Sequence, residues 1–246
     1  MPGKLLFTPI AIRDVELRNR IVVPPMHQYS AVKGFPSDWH LMNAGKFAAG
    51  GAGLVVVEST KVERRGCGTV GDLGIWDDAF VEPLKRLVKF IKGQNAIAGE
   101  QSARLVKILK TRGVDVIDCS SGGITDFAPI LGKEIKFNYQ VPLSEYLRRH
   151  ADIMTMAVGL IIHGDQAEQI LRDGHADLIA AGREILNNPN WPMDAALKLG
   201  VEGSFRNVPP QFGYWLGTRE KRGFSTKPST WQAGLEVGHE ETRKVL

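Results

Sequence analysis

The stretch Met156–Leu171 (MAVGLIIHGDQAEQIL), followed by Ala176–Pro189 (ADLIAAGREILNNP), decides the fold that we predict for this chain. Each stretch reads as a short apolar strand that ends near a glycine and continues into a helix. The two glycines are Gly159 and Gly182, and Arg183 stands where the second helix would begin. Glycine lets a backbone approach a ligand closely, a helix N-terminus presents unpaired N–H groups to an anion, and arginine matches a phosphate. These features predict a phosphate cradle for a nucleotide-type cofactor; the alternative is a helix cap beside a surface arginine.

The whole chain has the composition of an ordinary globular protein. It has 246 residues, 43% of them hydrophobic, and a formal net charge of +4. Basic and acidic residues are interspersed, so we expect no nucleic-acid partner, and no apolar run reaches the length of a membrane span, about 18 residues. The N-terminus lacks the apolar core of a signal peptide, and Cys67 and Cys119 form neither a metal-ligand spacing nor a disulfide framework. These observations predict a cytoplasmic protein without a metal site.

Six short apolar runs alternate with segments of helical period. The runs predict strands at Asn19–Pro25, Gly53–Glu58, Asn95–Gly99, Val114–Ser120, Ile153–Leu160 and Ala176–Gly182. The helical segments are His40–Gly50, Asp78–Gly93, Glu100–Gly113 and Asp165–Asp173. Apolar strands separated by helices are typical of a parallel sheet that is covered on both faces and carries a site at the carboxyl ends of its strands. A closed (β/α)8 barrel needs eight such units, so six units predict an incomplete barrel.

Several local strings match one known family. They are Leu6–Ile10 (LFTPI), Leu17–Met26 (LRNRIVVPPM), Gly53–Thr60 (GLVVVEST), Asp72–Trp76 (DLGIW), Val114–Gly122 (VDVIDCSSG) and the two stretches quoted first. Together they resemble the old yellow enzyme family of FMN-dependent NAD(P)H oxidoreductases, in its class of thermophilic-like ene-reductases. The resemblance implies a (β/α)8 TIM barrel that binds FMN, takes NADPH or NADH as reductant, and reduces the activated C=C bond of a small α,β-unsaturated substrate. It divides the chain into one FMN-binding domain, residues 1–216, and a polar C-terminal extension, residues 217–246.

The resemblance also implies six cofactor-binding residues. The backbone of Pro25 and Met26 would contact the isoalloxazine ring of FMN, and Ser59 would pack against that ring. The phosphate of FMN would be held by Gly159, Gly182 and Arg183.

Two candidate catalytic residues follow from the same resemblance. His27 stands where this class has a cysteine or threonine near the flavin N5 atom, and Tyr29 matches an active-site tyrosine. The alternatives are a structural or solvated His27 and a Tyr29 that is only a core or rim aromatic. Tyr214 and Trp215 resemble a C-terminal aromatic segment that reaches a neighbouring subunit in this class, which implies a homo-oligomer.

The chain departs from the family pattern between Gly99 and Glu100. The family carries a His-x-x-His or His-x-x-Asn pair after its fourth strand, which polarises the substrate. Here Ala96–Gly99 runs directly into the helical segment, so about 140 residues of a barrel pattern, including two strands, are absent. Either a segment of the working protein is missing from this chain, which the unpaired edges of an open barrel favour, or the protein is a naturally shortened relative.

Two further hypotheses remain beside the ene-reductase. A shortened relative would bind FMN or a partner without ene-reductase turnover. A barrel that grips a sugar phosphate would use the same glycine and arginine cradle without flavin, although the N-terminal strings argue against it.

Overall fold

A parallel six-stranded sheet forms the centre of the protein. The computed structural model describes residues 3–94, 97–99, 114–120 and 136–222. A short antiparallel hairpin, β1 (Ile10–Ile12) and β2 (Val15–Leu17), precedes the sheet. The strands of the sheet are β3 (Ile21–Val23), β4 (Leu54–Val56), β5 (Ile97–Gly99), β6 (Val116–Asp118), β7 (Met154–Ala157) and β8 (Leu178–Ala180). Their order across the sheet is β5-β4-β3-β8-β7-β6, with every neighbouring pair parallel.

Seven α-helices lie in the described part of the chain. They are α1 (Asp38–Ala49), α2 (Val81–Gly93), α3 (Val141–Ala151), α4 (Gly164–Arg172), α5 (Arg183–Asn187), α6 (Trp191–Lys198) and α7 (Pro210–Lys221). None of them has the length and the apolar character that crossing a membrane requires. α2 and α4 are amphipathic and bury one stripe each, because their apolar residues recur at helical spacing.

The predicted elements correspond closely to the observed ones. Each of the six predicted strands contains one strand of the sheet, and three of the four predicted helices match α1, α2 and α4. The fourth, Glu100–Gly113, lies outside the described residues, as do residues 223–246 of the predicted extension. α7 runs across the predicted boundary between residues 216 and 217. The β1–β2 hairpin, α3, α6 and α7 were not predicted.

The core lies on both faces of the sheet. On the outer face, Ile21, Val23 and Val55 join a large buried cluster with residues of α1, α2 and α4. On the inner face, Val22 and Leu178 belong to a smaller cluster against the β1–β2 hairpin. Neighbouring residues of one strand therefore enter different clusters, as expected when both faces of a parallel sheet are covered.

The sheet has two open edges within the described residues. β5 pairs only with β4, and β6 pairs only with β7. The two edges are not hydrogen-bonded to each other, so the sheet does not close on itself. This arrangement is that of an incomplete (β/α)8 barrel, in which the first and last strands pair and the described residues supply six of the eight strands.

The side chain of Arg18, which precedes β3, binds the C-terminal ends of α1 and α2. Its guanidinium donates hydrogen bonds to the carbonyl oxygens of Gln94 at 3.1 Å, Ala48 at 3.0 Å and Ala52 at 2.8 Å. Burial lowers the pKa of this guanidinium to about 10. Among the described residues it has no carboxylate partner, so its contribution is that of a charged donor to three backbone acceptors.

We predict that Arg18→Met, which keeps an apolar stem and removes the donors, lowers the free energy of unfolding by about 3 kcal/mol. Urea denaturation followed by circular dichroism measures this change. The control is Lys85→Met, since Lys85 is exposed and pairs with Glu82 on the surface of α2. We expect the control to change the free energy by about 0.5 kcal/mol or less. Equal effects of the two variants would contradict a structural role for Arg18.

Candidate functional site

Four strand ends meet at one edge of the sheet. Because β3, β4, β7 and β8 are parallel, the loops that follow them all leave from the same rim. These loops are residues 24–37, 57–63, 158–163 and 181–182. The predicted site residues all lie in these loops or at the first residue of the following helix.

A cleft of about 210 Å³ lies at the ends of β7 and β8. Its lining includes Gly159, Gly182 and Arg183, together with Met26 from the loop after β3 and Tyr139 from the segment before α3. The structure therefore brings together three predicted phosphate residues and one predicted ring residue. The proximity follows from the pairing of β3 with β8, which places the first loop beside the last.

Gly159 has a backbone conformation that requires glycine. Its φ angle is +119°, and an added Cβ would lie 2.9 Å from the backbone nitrogen of Gln140. The carbonyl of Gly159 accepts a hydrogen bond of 3.1 Å from the N–H of Asn138. The segment before α3 thus packs directly on the backbone of Gly159, and a side chain would separate them.

Gln166 fixes the loop that joins β7 to α4. Its Nε2 donates to the carbonyl of Leu160 at 2.9 Å and to Oδ1 of Asn138 at 2.7 Å. Its Oε1 accepts from the N–H groups of Ile162 at 3.0 Å and His163 at 3.2 Å. One half-buried amide therefore holds this side of the cleft through four hydrogen bonds.

Arg183 begins α5, as predicted, and its side chain is exposed. Within the part of the chain that the structure describes, its guanidinium has no ion-pair or hydrogen-bond partner. An added Cβ at Gly182 would meet only Cγ of Pro24, at 3.6 Å, so the backbone before Arg183 is open. An unpaired guanidinium beside glycine backbone suits an anionic group, and the residues present therefore fit a phosphate.

A buried carboxylate, Glu58, lies just after β4. Its side chain is 2% exposed, and its Oε2 accepts a hydrogen bond of 2.9 Å from the N–H of Gln28. The same oxygen lies 3.5 Å from Nδ1 of His27, and Oε1 lies 3.1 Å from Nε2 of His40, in a geometry out of line for a hydrogen bond. A cavity of about 30 Å³ adjoins these groups and is also lined by Met26.

His27 and Tyr29 form a stacked pair at the rim. Their ring centroids are 5.3 Å apart and the rings are inclined by 12°. Tyr29 has a φ of +52° and is 60% exposed. Its backbone packs on Gly71, where an added Cβ would lie 2.3 Å from the Tyr29 carbonyl oxygen. Such a strained, exposed aromatic suits a functional position better than a core position.

Asp72 closes the loop that contains Gly71. Its Oδ1 accepts a hydrogen bond of 2.6 Å from the hydroxyl of Thr69, and its Oδ2 accepts one of 2.9 Å from the N–H of Gly68. The hydrogen bond from Thr69 is the main cause of a pKa of Asp72 below its ordinary value. The carboxylate thus stabilises the loop against which Tyr29 rests.

The remaining predicted residues lie apart from the cleft. Pro25 and Ser59 line neither the cleft nor the small cavity, and the hydroxyl of Ser59 accepts a hydrogen bond from Lys61. Cys119 is buried, and burial raises the pKa of its thiol to about 12. No cluster of metal-ligating side chains occurs among the described residues.

Two features of the site were not predicted from the sequence. Glu58 is not among the predicted site residues, although a single charge at the end of the apolar run Gly53–Glu58 is an available signal. The sequence also contains one His-x-x-Asn string, His40 to Asn43. This string lies on α1, with both residues buried, and not after a fourth strand.

Comparison with known proteins identifies the family. The signature of the NADH:flavin oxidoreductase / NADH oxidase family matches residues 5–105 and, as a second segment, residues 99–201. The two segments meet where the sequence pattern indicates a missing part.

Individual relatives support the same assignment. NADPH dehydrogenases from Bacillus cytotoxicus and Geobacillus thermodenitrificans are 28% and 27% identical, over 327 and 328 aligned residues. Each alignment covers 80% of this chain, and they cover 93% and 95% of the relatives. Since the alignments are longer than the chain itself, the relatives contain a long segment that this chain lacks.

Solved structures show the shared fold. Morphinone reductase in complex with tetrahydroNAD has a TM-score of 0.57 and 15% sequence identity, covering 80% of this chain and 91% of that protein. The resemblance inferred from the sequence is thereby confirmed, as is the incomplete barrel. The chain belongs to the NADH:flavin oxidoreductase / NADH oxidase family, the old yellow enzymes, a family of NAD(P)H oxidoreductases with FMN as cofactor.

Proposed function

We propose that this chain binds FMN and uses NADPH or NADH to reduce activated C=C bonds of enones and related acceptors. The observation that carries the proposal is the single cleft shared by Gly159, Gly182, Arg183 and Met26. When bound, FMN supplies the hydride chemistry between the nicotinamide and the β-carbon of the acceptor. The protein's share of the work is to anchor the cofactor and to orient the acceptor.

Different residues would hold the phosphate and the ring of FMN. The guanidinium of Arg183, the open backbone at Gly182 and the backbone of Gly159 would hold the phosphate. In the proposed site, the backbone of Pro25 and Met26 and the side chain of Ser59 would contact the isoalloxazine ring. Support for this orientation comes from Met26, which lines the phosphate cleft and also the small cavity beside Glu58.

His27 and Tyr29 are the proposed catalytic residues. Both rings stand at the rim, and Tyr29 carries a hydroxyl that can donate a proton or a hydrogen bond to an acceptor. Their exposure supports contact with a small molecule that approaches from solvent.

A second candidate function is FMN binding without ene-reductase turnover. The observation that favours it is the absence of a substrate-polarising histidine pair at the break in the pattern, since the one His-x-x-Asn string is buried on α1. An enzyme that lacks this pair has lost the donors that stabilise charge on the acceptor.

The proposal also covers the domain division, the cellular location and the oligomeric state of the protein. We place residues 1–216 in one FMN-binding domain and residues 217–246 in an extension. A cytoplasmic location is supported by Cys67 and Cys119, both of which are free thiols. A homo-oligomer formed through the C-terminal segment is supported by α7, whose Tyr214 and Trp215 are 66% and 70% exposed.

We predict that Arg183→Ala weakens FMN binding about 10- to 100-fold, since a charge-assisted hydrogen bond contributes about 1.5–3 kcal/mol. Fluorescence quenching of added FMN measures the dissociation constant. Riboflavin, which lacks the phosphate, should bind the variant and the parent protein equally. Arg149→Ala serves as the control, because Arg149 is exposed on α3 and pairs with Glu145. A chain that takes up no FMN would refute the proposed function.

We predict that NADPH bleaches the bound flavin under anaerobic conditions and that cyclohexenone restores its absorption. Tyr29→Phe should slow this reoxidation about 100-fold, because it removes an acid–base group. Tyr146→Phe, an equally exposed tyrosine on α3, should leave the rate unchanged. Bleaching by NADPH without reoxidation by cyclohexenone would favour the second candidate function.

We predict that light scattering shows a dimer or larger oligomer, because α7 exposes Phe212, Tyr214 and Trp215. Trp215→Lys should shift the protein toward a monomer, whereas Tyr146→Lys should not. A monomeric parent protein at the same concentration would contradict this part of the proposal.

A further inference from the structure

The surroundings of Glu58 indicate a role other than packing. It is a fully buried carboxylate that stands between two imidazoles, one of them buried and one at the rim of the site. A buried carboxylate is costly unless donors surround it. The donors that face Glu58 are therefore informative about its role.

The proton positions on His40 follow from its hydrogen bonds. Nδ1 of His40 accepts a hydrogen bond of 3.0 Å from the backbone N–H of Ser37, so this nitrogen carries a lone pair. In the neutral ring the proton is then on Nε2, which lies 3.1 Å from Oε1 of Glu58. The other neutral form, with the proton on Nδ1, would lose the bond from the Ser37 N–H and could bond Ser37 only through its Oγ, 3.1 Å away. His40 therefore turns an N–H, and not a lone pair, toward Oε1 of Glu58, although the angle is out of line for a hydrogen bond.

The other oxygen of Glu58 faces the rim. Oε2 accepts from the N–H of Gln28 at 2.9 Å and lies 3.5 Å from Nδ1 of His27. An ionised carboxylate only accepts hydrogen bonds, so a stabilising contact with His27 requires a proton on Nδ1. The imidazole of His27 is then held on one side by Glu58 and on its face by Tyr29.

We propose that Glu58 is a positioning residue that holds His27 through Nδ1–H, so that Nε2 is the nitrogen presented to a bound acceptor. This inference rests on the proposed function for its catalytic meaning, since His27 is a candidate catalytic residue there. Nε2 of the neutral ring accepts a proton, and Nε2–H of the charged ring donates a hydrogen bond. In a chain without the family's histidine pair, His27 is an exposed imidazole at the rim that could take part in binding an acceptor.

The experiment reads the protonated nitrogen of His27 directly. In the 246-residue chain labelled with 15N-histidine, two-bond 1H–15N spectra at a pH where the rings are neutral distinguish Nδ1–H from Nε2–H. His27→Gln assigns the signals. We expect Nδ1–H for His27, the opposite of the form that free imidazole side chains favour in water.

Glu58→Gln tests the cause of this preference. Glutamine keeps the shape but offers one oxygen to the three donors, from Gln28, His27 and His40. We expect the two nitrogen signals of His27 to exchange their protonated and unprotonated positions in this variant. Glu145→Gln is the matched control, because it changes a half-exposed glutamate that lies 3.7 Å from Nε2 of His175. It should leave His27 unchanged.

The outcomes separate the two proposals. Nε2–H on His27 in the parent protein, or an unchanged His27 in a folded Glu58→Gln variant, would overturn the inference. If Glu58→Gln does not fold, the parent spectrum alone decides. The measurement needs no FMN, so a protein that has the expected Nδ1–H but binds no FMN would refute the proposed function and leave the role of Glu58 standing.

Discussion

The pairing of β3 with β8 is the interaction on which the rest of the structure depends. Hydrogen bonds from Ile179 N–H to the Arg20 carbonyl, at 2.9 Å, and from Ala181 N–H to the Val22 carbonyl, at 3.1 Å, join the first strand of the sheet to the last. This pairing puts the loop after β3 next to the loop after β8. The cleft that Met26 shares with Gly182 and Arg183 exists for that reason. In the described part of the chain the sheet has six strands; β3 and β8 are paired, and the opening lies on the far side, between β5 and β6.

Much of the fold could be predicted from local sequence, for reasons visible in its elements. The sheet strands are short apolar runs bounded by turn residues, and α2 and α4 repeat apolar residues at helical spacing, so periodicity alone reveals them. The β1–β2 hairpin escaped prediction because Arg13, Asp14 and Glu16 interrupt its apolar residues, and only Leu17 of its strand residues is buried. α7 escaped because none of its residues is buried, and a helix without a buried stripe has no apolar period to detect.

The same distinction holds for the site: residues that directly follow a strand could be predicted, and contacts between separate segments could not. Gly159, Gly182 and Arg183 can be predicted because each stands at a fixed place after its own strand. The arrangement around Glu58 cannot, because its partners come from separate segments: His27 from the loop after β3, and His40 from α1. Only the parallel pairing of β3 with β4, and the packing of α1 on the sheet, bring these groups together. A family resemblance assigns a position to His27 and says nothing of the carboxylate behind it.

The pairing of β3 with β8 also has a consequence for folding during synthesis. β3 is the first strand of the sheet to leave the ribosome and β8 is the last, so one side of β3 has unpaired backbone groups while nearly all of the intervening chain is made. At ordinary rates of translation this interval is on the order of 10 s. Throughout it, the nascent chain displays an apolar strand edge of the kind that recruits chaperones or neighbouring nascent chains. We therefore expect events before release from the ribosome, as well as the stability of the finished sheet, to influence how much of the protein folds.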